Sequence, residues 1–131
     1  MSIRILLIDD DVDDQLIFHE IIEEISPDIA CISAHNGLEG LNKLAAMDPE
    51  PTMIFLDLNM PFISGWECLE RIRKDPGTGQ IPVVIMTTSD NQADKKRALE
   101  VCSSAFLTKT ADLVSLRQMI RKLLSAEKLI L

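Results

Sequence analysis

Two adjacent carboxylates, Asp9 and Asp10, close the apolar run IRILLI, and a lone carboxylate, Asp57, closes a second run, MIFL. A hydroxyl, Thr87, closes a third, and Lys109 stands just past a fourth. A parallel sheet built from these runs would carry all five side chains to one edge. Carboxylates gathered there repel one another, and ionising all of them is costly unless a cation shares the site. Mg2+ suits such a set, because it is a hard cation that takes carboxylate and phosphate oxygens and keeps several waters. A phosphoryl group arriving at that edge would meet Asp57 as a nucleophile, Thr87 as a hydroxyl donor and Lys109 as a point charge. The chemistry that suits this set is phosphoryl transfer to Asp57, which would give an acyl phosphate, with Mg2+ neutralising charge on the transferred group. Neither Thr87 nor Lys109 is a base, so the set is suited to accepting the group and holding it.

The elements that must position these residues follow from periodicity. Ile3 to Ile8 is apolar apart from Arg4, the pattern of a strand buried on both faces of a parallel sheet. A helix is predicted over Val12 to Ile25, with Leu16, Ile17, Ile21 and Ile25 inward and Glu20, Glu23 and Glu24 outward. Ser26-Pro27-Asp28 stops it. A second strand, Ile29 to Ala34, leads through Asn36-Gly37 into a helix over Leu38 to Met47. Strands over Met53 to Leu56, Pro82 to Met86 and Ala105 to Thr108 alternate with helices over Gly65 to Lys74, Gln92 to Cys102 and Asp112 to Ala126. In the last helix Leu113, Leu116, Ile120, Leu123 and Leu124 are expected to face inward. Strands alternating with helices predict an α/β protein with an open parallel sheet covered on both faces, because parallel strands need right-handed crossovers. Ligands in such sheets bind beyond the carboxyl ends of the strands.

Composition narrows the partners. The chain of 131 residues has a formal net charge of −8, which argues against nucleic acid. Charge is uneven: residues 1–60 carry a net −11 and residues 61–131 a net +3. Cys31, Cys68 and Cys102 are far apart and odd in number, so free thiols in a reducing compartment are expected rather than a disulfide framework or a zinc site. The first residues lack the pattern of a signal peptide, and no apolar run approaches the ~18 residues that span a bilayer. A cytoplasmic protein with no membrane association is expected.

With the acidic pair in LLIDDDVDD, the acceptor in MIFLDLNMP, the hydroxyl in VVIMTTSD and the lysine in FLTKT, the chain resembles a receiver domain of two-component response regulators, of the chemotaxis-regulator type. The resemblance covers essentially all of it. It implies a (βα)5 doubly wound, flavodoxin-like three-layer sandwich with strand order 2-1-3-4-5. It also implies one receiver domain over residues 1–131 with no output domain, and an apolar tail at about 127–131 that includes Leu129-Ile130-Leu131. Carried over by position, Asp57 matches the phosphoacceptor, and Asp9 and Asp10 match the pair that holds Mg2+, Asp10 directly and Asp9 partly through water. The Asn59 backbone carbonyl matches a further metal ligand beside Asp57. Thr87 matches the switch hydroxyl, Phe106 the aromatic that moves with it, and Lys109 the phosphate-pairing lysine. The implied partners are a histidine kinase or a His-containing phosphotransfer protein, and a downstream protein met at the face of the fourth helix, fifth strand and fifth helix. On this resemblance the protein is a signalling phosphoacceptor, monomeric or weakly dimeric, that catalyses only its own phosphorylation and dephosphorylation.

The sequence departs from the family's pattern at two turns. Thr110 follows the lysine where the family usually has a proline in a cis peptide, and a cis bond before a non-proline costs ~3 kcal/mol. Cys102-Ser103-Ser104 replaces the usual glycine at the end of the fourth helix. Two rival readings stand beside the phosphoacceptor. One is a receiver-like binding module that is never phosphorylated. The other is a Mg2+-dependent phosphatase with an aspartate nucleophile, which needs a second acid two residues on, where this chain has Asn59. Asp11, Asp13 and Asp14 are read as loop and helix start, where carboxylates suit the helix dipole. Ser89 or Asp90 is the cap expected for the fourth helix. His19 and His35 are assigned no specific role, and Trp66 either packs on the third helix or stands half exposed. Lys95, Lys96 and Arg97 on the fourth helix and Arg117, Arg121 and Lys122 on the fifth form basic patches near the implied signalling face, where such residues more often only solvate a helix.

Overall fold

The computed structural model describes residues 3–88, 92–100, 105–109 and 112–126. Strands and helices alternate as β1 Ile3–Ile8, α1 Val12–Ile25, β2 Ile29–Ala34, α2 Gly37–Ala46, β3 Met53–Asp57, α3 Gly65–Lys74, β4 Val83–Thr87, α4 Gln92–Glu100, β5 Ala105–Thr108 and α5 Leu113–Ala126. The strands form one parallel sheet in the order β2-β1-β3-β4-β5. This is the doubly wound, flavodoxin-like order that the resemblance implied. The central strands β3 and β4 are buried along their whole length, which is why they are continuous apolar runs.

Side chains alternate across the sheet and build two cores. Leu6, Ile8, Ile54, Leu56, Val83 and Ile85 face α2, α3 and α4, meeting Leu44, Leu69, Ile72 and Ala98. Ile5, Leu7, Met53, Phe55, Val84, Met86 and Leu107 face α1 and α5, meeting Phe18, Ile21, Ile22, Ile120 and Leu124. Phe18 and Phe55 join α1 to the sheet edge-on, with ring centroids 4.8 Å apart.

Several boundaries differ from the sequence expectation for identifiable reasons. β4 begins at Val83, because Pro82 has no N–H to give the ladder, although its carbonyl accepts from the Ile54 N–H at 2.9 Å. Asn36 caps α2 by accepting from the Glu39 N–H at 2.8 Å, so that helix starts at Gly37. Asp112 takes the same part for α5, accepting from the Val114 N–H at 3.1 Å and the Ser115 hydroxyl at 2.7 Å. The turn at Cys102-Ser103-Ser104, Thr110 and its peptide bond, Ser89, Asp90 and the apolar tail lie outside the described residues.

Two inward assignments are corrected. Leu16 is 59% exposed, because it shares its helix face with Glu20 and Glu23, while Gln15, Phe18, Ile21 and Ile22 form the buried stripe. Leu113 is also exposed: in the first turn of α5 it borders a cleft beside Lys109.

Candidate functional site

Each strand's alternation carries on to its carboxyl end and sorts the polar residues by side. Asp9 follows Ile5 and Leu7, Asp57 follows Met53 and Phe55, and Lys109 follows Ala105 and Leu107, all on the α1–α5 side. Thr87 follows Val83 and Ile85 on the α4 side. Main-chain bonds fix these ends against one another. The Asp9 N–H donates to the Ala34 carbonyl at 3.0 Å, Leu58 to Met86 at 3.0 Å, and Lys109 to Thr87 at 2.7 Å.

Asp9 and Asp57 are buried, Asp10 is exposed, and their carboxylates offer three ligand oxygens within 4.8 Å of one another. Asp9 is already engaged through both oxygens: Oδ1 accepts from the Asp11 N–H at 3.0 Å and Oδ2 from Lys109 Nζ at 2.7 Å. Lys109 Nζ also lies 2.9 Å from Asp14 Oδ2 and 3.5 Å from Asp57 Oδ2. Burial pushes the Asp57 carboxyl up to about 7; the charges of Asp9 and Asp10 add to this, against Lys109 and the Asn59 N–H, which donates to Oδ1 at 3.3 Å. Burial opposes the charge on Lys109, but the hydrogen bonds it donates to Asp9 and Asp14, with the charge of Asp57, hold its pKa above the usual lysine value. One ammonium thus serves an excess of carboxylates, and an oxygen-only donor set with surplus negative charge fits a hard divalent cation.

The structure brings Asp9, Asp10, Asp57 and Lys109 together and places Asn59 two residues beyond Asp57 on the exposed loop. Thr87 is fully buried, and Phe106 is partly buried on the same α4 side of the sheet. Their strands are in register at Thr87 and Thr108, so Phe106 lies two residues back from Thr87's neighbour.

Two residues were missed by sequence reasoning. Asp14 does more than complement the helix dipole, because it is a direct partner of Lys109. Gln15 is buried in the α1–β1 junction, where its amide nitrogen donates to the Asp9 carbonyl at 2.6 Å and the Ala34 carbonyl at 3.1 Å. His35 Nδ1 is 3.3 Å from that same nitrogen, and His19 Nε2 is 3.0 Å from the Ser33 hydroxyl, tying α1 to β2. Asp11, read from the sequence only as part of the loop and helix start, caps α1 by accepting from the Asp14 N–H at 3.1 Å. Trp66 is half buried and carries the Arg97 guanidinium 4.6 Å from its ring centroid. Arg117 pairs with Glu24 of α1 at 2.8 Å.

A five-stranded sheet of this order, with an acidic pair, a lone buried aspartate and a lysine at its carboxyl edge, defines a protein of the receiver class. The model of the response regulator receiver domain matches residues 5–121, and the chain belongs to that family of two-component signalling proteins. It is 33% identical over 122 residues to the response regulator Rcp1 of Synechocystis sp., which covers 89% of this chain and 83% of that protein. It is 34% identical over 125 residues to the response regulator PleD of Caulobacter vibrioides, where it spans 94% of this chain but only 26% of PleD. Among solved structures, the phosphorylated cyanobacterial phytochrome response regulator RcpA is similar with a TM-score of 0.87 and 28% identity, covering 95% of this chain and 92% of that one. The Mn2+-bound form of Rcp1 is similar with a TM-score of 0.84 and 32% identity, over 95% of this chain and 93% of that one.

Proposed function

We propose that this receiver domain accepts a phosphoryl group on Asp57 in a Mg2+-dependent reaction, from a phosphohistidine of a histidine kinase or of a His-containing phosphotransfer protein. The observation that carries the reading is the buried Asp57 carboxylate, grouped with Asp9 and Asp10 within 4.8 Å and facing the Lys109 ammonium at 3.5 Å. That Rcp1 has a Mn2+-bound form and RcpA a phosphorylated one supports it.

An Asp57 carboxylate oxygen attacks phosphorus, and the bond from phosphorus to the donor imidazole nitrogen breaks. Its electron pair returns to the ring, and an acyl phosphate remains. A bound Mg2+, held by Asp10, Asp57 and the Asn59 backbone carbonyl with Asp9 acting partly through water, would offset the negative charge gathered on the phosphoryl oxygens. Lys109 supplies a fixed positive charge to one of those oxygens, and Thr87 donates its hydroxyl to another.

As Thr87 turns toward the phosphoryl group it vacates space on the α4 side of the sheet, and Phe106 moves into it. The α4–β5–α5 face then shifts population between two packings, and a downstream protein reads the difference there. The protein is a signalling phosphoacceptor rather than an enzyme with an external product. It works in the cytoplasm; among the described residues no helix is long and apolar enough to cross a membrane.

The test is incubation with Mg2+ and acetyl phosphate, followed by intact mass measurement. The wild type is expected to gain one phosphoryl group that survives acid and is lost in base or hydroxylamine, and Asp57→Asn is expected to gain none. A wild type without the added mass, or a variant that gains it equally, overturns the reading.

A further inference from the structure

The contacts of Lys109 are unequal in a way that points to a part for Asp14. An ammonium has three N–H bonds to direct. The two short contacts, 2.7 Å to Asp9 and 2.9 Å to Asp14, draw Nζ toward α1, and the contact with Asp57 is left at 3.5 Å. Asp14 is also held in place rather than wandering on the surface. Its N–H is bound by Asp11, and the next residue, Gln15, fastens the helix start to the Asp9 and Ala34 carbonyls. The Asp14 side chain is 38% exposed and that of Lys109 14%. Asp14 therefore loses little if the pair opens, since water replaces its partner, whereas Lys109 needs a carboxylate or a phosphoryl oxygen at all times.

We propose that Asp14 is a positioning residue that holds Lys109 on the α1 side of the site in the unphosphorylated protein and competes with the phosphoryl group for it. The proposal rests on the Asp57 reading above. On phosphorylation Lys109 exchanges Asp14 for a phosphoryl oxygen, so the side chain at position 14 sets part of the lifetime of the acyl phosphate. Without Asp14, Lys109 leans onto Asp57 and Asp9. There it opposes a divalent cation more strongly before phosphorylation, and pairs with the phosphoryl group at no loss afterwards.

The test compares the wild type, Asp14→Asn, Lys109→Met and the double variant, with thermal melts to establish folding. Mg2+ affinity is measured by calorimetry, and acyl phosphate decay by mass after removal of acetyl phosphate. With Lys109 present, Asp14→Asn is expected to weaken Mg2+ binding about threefold and to lengthen the phosphoryl half-life by a similar factor, the scale of coupling between contacting residues. In the Lys109→Met background it is expected to leave Mg2+ affinity unchanged. Asp14→Ala should move both readouts in the same direction as Asp14→Asn. Equal weakening of Mg2+ binding in both backgrounds would mean that Asp14 acts by general charge, and a half-life that is unchanged or shorter would mean that it does not compete; either overturns the proposal. If the wild type takes up no phosphoryl group, the Asp57 reading falls, and the Mg2+ comparison still decides whether Asp14 governs Lys109.

Discussion

At the scale of single residues, Asp57 ties the site to the stability of the fold. Burial and the neighbouring Asp9 and Asp10 raise its carboxyl to about 7, whereas an unfolded chain would hold it at ~3.9. A raised carboxyl pKa stabilises the fold fully below the unfolded value, and that contribution is lost as pH rises through the folded one. Without metal, Asp57→Asn is therefore expected to melt above the wild type at pH 8, by a few degrees or ~1 kcal/mol in a domain of this size, with the gap closing toward pH 4. Thermal melts in EDTA check this, and equal melting temperatures at pH 8 would contradict it. The grouping of Asp9, Asp10, Asp57 and Lys109 was legible in the sequence because each stands at or just past the end of an apolar run, so their types and positions reinforce one another. Asp14 was not, since an acid in a first helical turn is already accounted for by the dipole. Gln15 was hidden by its polarity, although its spacing to Phe18 and Ile22 puts it on the buried stripe.

At the scale of elements, the loop from β3 to α3 is where local geometry and the site meet. The Gly65 N–H donates to the Leu58 carbonyl at 3.0 Å, and a Cβ on Gly65 would fall on the Asp57 carbonyl oxygen and the Leu58 Cα. Backbone cannot give way as a side chain can. Gly65→Ala is expected to cost about 1–3 kcal/mol and to weaken Mg2+ binding together with stability, because the same shift moves Asp57. Melts and calorimetry on one preparation check whether the two losses occur together. α4 is the element expected to move, and Ala98 is the buried side chain among its described residues. Arg97 over Trp66 ties it to α3, so Arg97→Ala is expected to cost about 0.5–1 kcal/mol and to alter Trp66 emission. An unchanged emission spectrum would count against that contact. Element order and most boundaries could be read from periodicity, whereas Leu16 and Leu113 could not. An apolar residue beside a true stripe, or in a first helical turn that borders an open cleft, has the same composition signal as a buried one.

At the scale of the whole molecule, the uneven charge along the chain becomes a spatial fact: the acidic first half supplies Asp9, Asp10, Asp14 and Asp57, and the second half returns Lys109 to them. Sheet order was not contained in the spacing of the strands and came from the family resemblance, because many orders satisfy a βα alternation. A cation that binds the folded site alone stabilises by mass action, by ~2.7 kcal/mol at a hundredfold excess over its dissociation constant. Mg2+ is thus expected to raise the melting temperature of the wild type and to do so far less for Asp10→Ala; equal shifts would remove Asp10 from the site. The central claim is that Asp57 carries the phosphoryl group, and it is tested most directly by reducing the acetyl phosphate-treated protein with borohydride and mapping its peptides. An acyl phosphate is reduced where it stands, so conversion of the side chain to that of homoserine is predicted at position 57, and only when Mg2+ was present. Conversion at Asp9 or Asp10 instead, or at no aspartate at all, would contradict the account.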